Sequence, residues 1–160
     1  MPVTINGSGQ LPVQVIQTVK TDTFTTSLNN SWADVTGMSL TITPTSSSNK
    51  ILIFVDIGTA TVSNNGAIKL LRGSTDIFLG NAGSGQTRAS IADLNVSMPN
   101  GLPVSFCYLD SPATTSATTY KIQVYGWTSS TAYINLGSQD TGSAFRFRTA
   151  STITAMEISG

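Results

Sequence analysis

Lys50-Ile51-Leu52-Ile53-Phe54-Val55-Asp56-Ile57 is the stretch that decides the fold. It is apolar at odd and even positions alike and rich in β-branched side chains, the composition of a strand covered on both faces, and Asp56 alone interrupts one face. It is therefore expected to be the most central strand. Upstream, residues 32–43 end in strict alternation, with Met38, Leu40 and Ile42 inward and Ser39, Thr41 and Thr43 outward, until Pro44 and a serine run stop the pattern. Further upstream a first strand starts at Val13, with Val13, Val15, Gln17 and Val19 on one face and Gln14, Ile16, Thr18 and Lys20 on the other. Downstream, residues 67–72 and 76–79 flank Gly73-Ser74-Thr75, the sequence of a tight hairpin. Residues 102–109, 120–127, 132–136 and 151–159 each read as strands, 80–86 as loop, and 91–98 reads either way.

Eight or nine short strands, with no window of good helix formers at a 3.6-residue period, predict an all-β protein. The expected architecture is a single-domain, jelly-roll-like β-sandwich of about eight strands over residues 13–160. An immunoglobulin-like sandwich is the weaker reading, because the Cys-Trp-Cys signature is missing. Residues 1–12 hold two prolines and two glycines around a polar centre and are expected to form an extended N-terminal arm that reaches a neighbour.

Composition excludes whole classes of function. Among 160 residues only 10% are charged, far below the usual quarter, so hydroxyls and amides must make up the surface. Eight basic residues balance eight acidic ones and no Lys/Arg cluster occurs, which argues against nucleic acid and membrane surfaces as partners. A chain at zero net charge lacks the self-repulsion that keeps small domains apart, and an oligomer is expected. There is no histidine, which removes the usual general base and the commonest metal ligand, so Ser-His-Asp chemistry is impossible. Lone carboxylates without calcium-loop spacing, and a single cysteine, give no metal or cofactor set. Cys107, inside an apolar run, is expected to be a small buried hydrophobe.

Three stretches imitate chemistry. Residues 80–87, Gly-Asn-Ala-Gly-Ser-Gly-Gln-Thr, follow an apolar strand and nearly match a phosphate-binding loop, but Gln86 stands where the lysine belongs and no helical period follows. Trp127 and Tyr133 flank the polar turn 128–131, from which they would present flat faces to a sugar ring, or else pack in the core. Phe145-Arg146-Phe147-Arg148 alternates aromatic with cationic residues, so Arg146 and Arg148 would share one strand face at an edge or subunit contact. No pair of acids is singled out for sugar hydrolysis.

The segments 15–24, 32–37 and 42–53, with Lys69-Leu70-Leu71-Arg72-Gly73, the stretch 108–122 and the closing 151–158, together resemble a group of virion structural proteins of tailed phages, including many from aquatic and cyanobacterial hosts. The resemblance spans about residues 13–158 and rests on strand cores and turns. It implies a β-sandwich or jelly-roll module that trimerises, used as a capsid decoration or cement protein or as a fibre or spike module, with no catalytic residue to transfer. Because strand one starts by about Val13, without a long shaft before it, the resemblance favours a stand-alone homotrimer that decorates the head on the virion surface and touches the major capsid protein. The alternative is a receptor-binding tail or fibre module that recognises host surface glycans. An enzyme acting on surface polysaccharide would need buried acids that the sequence does not locate.

Overall fold

In the computed structural model the described residues are 12–94, 100–138 and 141–160. They form eleven strands: β1 (Pro12–Lys20), β2 (Phe24–Leu28), β3 (Ser31–Ile42), β4 (Lys50–Val62), β5 (Gly66–Arg72), β6 (Thr75–Ile77), β7 (Ile91–Ala92), β8 (Leu102–Asp110), β9 (Thr118–Gly126), β10 (Ser130–Ile134) and β11 (Ser151–Ile158). All pairings are antiparallel and fall into two sheets packed face to face, the expected jelly-roll-like β-sandwich. The first sheet runs β1-β11-β4-β8, and β10 and β2 join the far half of β4; the second runs β3-β9-β5-β6 with β7 beside β5.

β4 is the centre of the first sheet, as its two-sided apolar run predicts. It pairs with β11, β10 and β8, and Ile51, Ile53 and Val55 point inward with 0% exposure. Opposite them lie Met38, Leu40 and Ile42 of β3 and Ile122 and Val124 of β9, so the period-2 faces of both sheets close one core. The strand count exceeds the expected eight or nine because the polar sequence of β2 hides it and because β7, two residues long, falls in the stretch 91–98 that reads either way; the expected hairpin strand at 76–79 is β6. The expected arm, residues 1–12, lies outside the described residues apart from Pro12, which opens β1.

Two expectations about side chains are corrected. Cys107 is exposed, because the register that sets Cys107 against Phe54 turns both to the outer face of the first sheet. An apolar run on both faces hides which face is covered. Residues 145–148 form no strand; the Arg146 N–H closes a turn onto the Ser143 carbonyl and the Thr149 N–H donates to Asn135. The segment thus turns on itself at Ser143 and is tied to Asn135 at Thr149, and its four alternating residues pair with no strand among the described residues.

One end of the sandwich, where the β3–β4, β5–β6 and β8–β9 connections lie, is locked by two buried carboxylates on the inner face. Glu157, 0% exposed, accepts hydrogen bonds from the Thr45 N–H (2.6 Å), Thr45 Oγ1 (2.8 Å), Asn49 Nδ2 (2.6 Å) and Gln14 Nε2 (2.6 Å). Burial works to raise its pKa, but these donors together hold the carboxyl down at about 2 against an ordinary 4.5. Since the folded value is the lower one, Glu157 contributes stability above pH 4.5 that is lost as pH falls through about 2. Glu157→Gln is expected to lower stability at neutral pH by roughly 1–3 kcal/mol and to flatten the acid limb of the curve. Chemical denaturation between those pH values checks this, and an unchanged slope contradicts it.

At the same end Asp110 receives Arg72 Nη1 on both oxygens (2.9 Å each) and the Tyr120 hydroxyl on Oδ2 (2.6 Å). Burial and the neighbouring Asp110 push the Tyr120 phenol far above its ordinary value, so it is a neutral donor. The triad ties β8 in the first sheet to β5 and β9 in the second.

Candidate functional site

The opposite end carries the β2–β3, β4–β5 and β9–β10 turns, all crossing between the sheets. Their sequences, Asn29-Asn30, Ser63-Asn64-Asn65 and Trp127-Thr128-Ser129, are turn chemistry, since Asn tolerates positive φ and its amide can bond to nearby backbone. The turns lace into one another. Asn30 Nδ2 donates to Thr128 Oγ1 (3.3 Å), Asn64 Nδ2 to the Thr128 carbonyl (3.2 Å), and the Trp127 N–H to the Asn65 carbonyl (3.1 Å). Positive φ gathers here, at Asn30 (49°), Asn65 (29°), Asp93 (65°) and Ser129 (49°). Such backbone persists only where its surroundings fix it.

Against these turns, on the outer face of the second sheet, Tyr125 packs on Trp32 with ring centroids 5.2 Å apart, and its hydroxyl donates to Asn30 Oδ1 (3.3 Å). Lys69 Nζ sits 4.5 Å over the Trp32 ring and pairs with Asp76 at 2.9 Å. Beside Tyr125 opens a cleft of about 240 Å³ lined by Asn65, Gly66, Ala67, Thr87, Ala89, Ala92, Asp93 and Tyr125. A wider polar groove of about 590 Å³ runs over Ser27, Asn29, Ser31 and Ser129–Thr131.

The outer face of the first sheet is different in kind. Cross-strand register places Val15, Met156, Leu52 and Leu109 in one row across four strands, followed by a row of Gln17, Thr154, Phe54 and Cys107. Val13, Val15, Val19 and Leu109 are exposed, Val15 by 52% and Leu109 by 46%. The next row closes with Asp56, which accepts a hydrogen bond from the Ser105 hydroxyl.

No family model matches the chain, and no curated protein matches it either.

Of the residues singled out from sequence, Trp127 stands at the laced end and is 49% exposed. Tyr133 lies elsewhere, on β10 between Thr25 and Thr61, and no ring contact joins it to Trp127. Arg146 Nη1 reaches Asn100 Oδ1 (3.3 Å) beside the exposed Phe145 and Phe147, and Arg148 also lies outside any strand. Sequence reasoning missed Tyr125, Asn65, Thr87 and Asp93, which come from four separate segments; only the Asn-Asn-Gly turn at 64–66 hinted at a special backbone.

The glycine loop at 80–87 leads into no helix, and its ends are tied by the Gly80 N–H to Ala89 O (3.3 Å) and by Arg88 Nε to Gly80 O (2.7 Å). Glu157 and Asp110 flank Ile51 on one inner row, roughly 10 Å apart across two strand spacings. The carboxyls of a glycosidase pair stand somewhat closer, roughly 5–9.5 Å apart. Both acids, moreover, are saturated by donors of the fold, and neither lines either cleft.

Proposed function

We propose that the chain is a non-enzymatic structural protein of a tailed-phage virion, a homotrimer that decorates the head and cements neighbouring major capsid subunits. The observation that carries this reading is the apolar outer face of the first sheet, which turns Val13, Val15, Val19 and Leu109 to solvent. Exposed apolar patches of this kind mark contact surfaces. The occupant we assign is a sister chain of the trimer, because eight acidic and eight basic residues cancel and three such faces converge about a threefold axis without net repulsion. Four strands about eight residues long span roughly 19 by 26 Å. That is of the same order as the roughly 800 Å² per partner of a standard interface. The resemblance in strand cores and turns supplies the virion context and the threefold assembly.

Val15→Asp and Leu109→Asp, at positions exposed in the single chain, are expected to change the stability of the single-chain fold by less than about 0.5 kcal/mol. Both should nevertheless abolish co-sedimentation with phage heads, which the wild-type chain shows. Wild-type protein that stays in the supernatant, or variants that pellet equally well, would overturn the proposal. A second reading, a tail or fibre module that recognises host glycans, is favoured by the exposed Trp127 beside the amide-rich turns. Labelling on intact particles separates the two, since signal confined to the tail replaces the head reading.

A further inference from the structure

We propose that the cleft beside Tyr125 binds one neutral sugar residue, its ring lying on Tyr125 and its hydroxyls held by Asp93, Asn65 and Thr87. The inference goes beyond the cementing role and holds wherever on a particle the chain sits.

Size comes first. At about 240 Å³ the cleft is smaller than the roughly 300–1,000 Å³ of sites for drug-sized ligands, so it holds one sugar ring at a time. Its walls are Gly66, Ala67, Ala89 and Ala92, which leave the space open and present no hydrogen-bonding side chain. The polar groups therefore sit at Asn65, Thr87 and Asp93, around one aromatic face. An aromatic face takes the C–H side of a pyranose, while a carboxylate with two acceptor oxygens spans adjacent hydroxyls and an amide both donates and accepts.

The polar groups are uncommitted. Neither the Asp93 carboxylate nor the Asn65 amide has a hydrogen-bond or ionic partner among the described residues. Among the described residues no cationic side chain lines the cleft, so Asp93 would repel an acidic sugar.

Asp93, Asn65 and Tyr125 are also held in place before any ligand arrives. Ala92 pairs with Ala67, and the Leu94 N–H donates to the Gly66 carbonyl (3.1 Å), which clamps Asp93 from both sides. Asn65 is held by the Trp127 N–H, and Tyr125 by Trp32 and Asn30. Asp93 and Asn65 both have positive φ, the backbone state that over-determined functional positions retain. Fixed groups of this kind lose little freedom on binding.

The test is amide chemical-shift titration of the full chain with methyl β-glucopyranoside, methyl β-galactopyranoside and methyl α-mannopyranoside, each raised to about 50 mM, past the millimolar range. Methyl β-glucuronopyranoside, a single acidic ring matched to the glucoside, serves as the acidic probe. At least one neutral glycoside is expected to give saturable shifts centred on Asn65, Thr87, Asp93 and Tyr125. Asp93→Asn, which keeps a residue tolerant of positive φ, should bind roughly tenfold more weakly or worse. Ala92→Phe, substituted at an exposed position, should fill the cleft and abolish the response, with melting unchanged in both variants. No response to any neutral glycoside, shifts centred elsewhere, an Asp93→Asn variant that binds like wild type, or a stronger response to methyl β-glucuronopyranoside would each overturn the proposal.

Discussion

Asp110→Ala is expected to destabilise the fold by about 3 kcal/mol, at the lower end of what breaking a buried ion pair costs. The lower end applies because the two partners differ in burial, with the Asp110 side chain 5% exposed and that of Arg72 30%. Water can therefore rescue part of the guanidinium. The Tyr120 hydroxyl cannot be rescued in the same way, because its ring is fully buried between the sheets and Asp110 is its acceptor. Asp110→Asn should recover part of the loss by restoring that acceptor, and Tyr120→Phe should be milder than either. Urea unfolding of the three variants checks the order, and an alanine variant within about 0.5 kcal/mol of wild type would show that the triad does not join the sheets.

Ile53→Ala is the second large effect, about 2–5 kcal/mol. Ile53 lies on the inner face of β4 between two paired strands, with Ala155 and Tyr108 as its cross-strand neighbours and the second sheet above it. No loop is near enough to collapse into the void, since the neighbours on both sides belong to hydrogen-bonded strands. Ile51→Ala at the sheet end should cost less, because the adjoining β3–β4 connection can adjust. A melting midpoint close to wild type for Ile53→Ala would remove β4 from the centre of the core.

What could be read from the sequence followed from periodicity. Ile51, Ile53 and Val55, and then Met38, Leu40 and Ile42, fall on the core side where alternation puts them, because a period of two leaves a strand only two choices of face. β1 shows the limit of that logic. Its valine-bearing face, Val13, Val15 and Val19, looks outward, while the opposite face carries Lys20, which is buried with its stem beside Gly37 and its ammonium on Asp22 at 2.9 Å. Apolarity alone would have turned the strand over. The long stem of a lysine can line a core edge while its charge escapes, and exposed valines are tolerated where another surface is to cover them.

The laced end was less legible for a different reason. Tyr125, Asn65, Thr87 and Asp93 are brought together by sheet register and by turns between sheets, which act between segments far apart in the chain. Trp127 was identified because a tryptophan beside a polar turn stands out locally. Tyr133 was paired with it on sequence proximity, yet a turn followed by three strand positions sends the two rings to different surroundings. Arg146 and Arg148 repeat the lesson, since alternation without a partner strand does not make a face.

In the proposed trimer a sister chain completes the uncovered face of the closed two-sheet core. Sedimentation equilibrium of the intact protein tests this most directly. A mass of about three 16.7 kDa chains, falling to one chain in Leu109→Asp, is the predicted result. A single-chain mass at every concentration, or an assembly indifferent to that substitution, would contradict it.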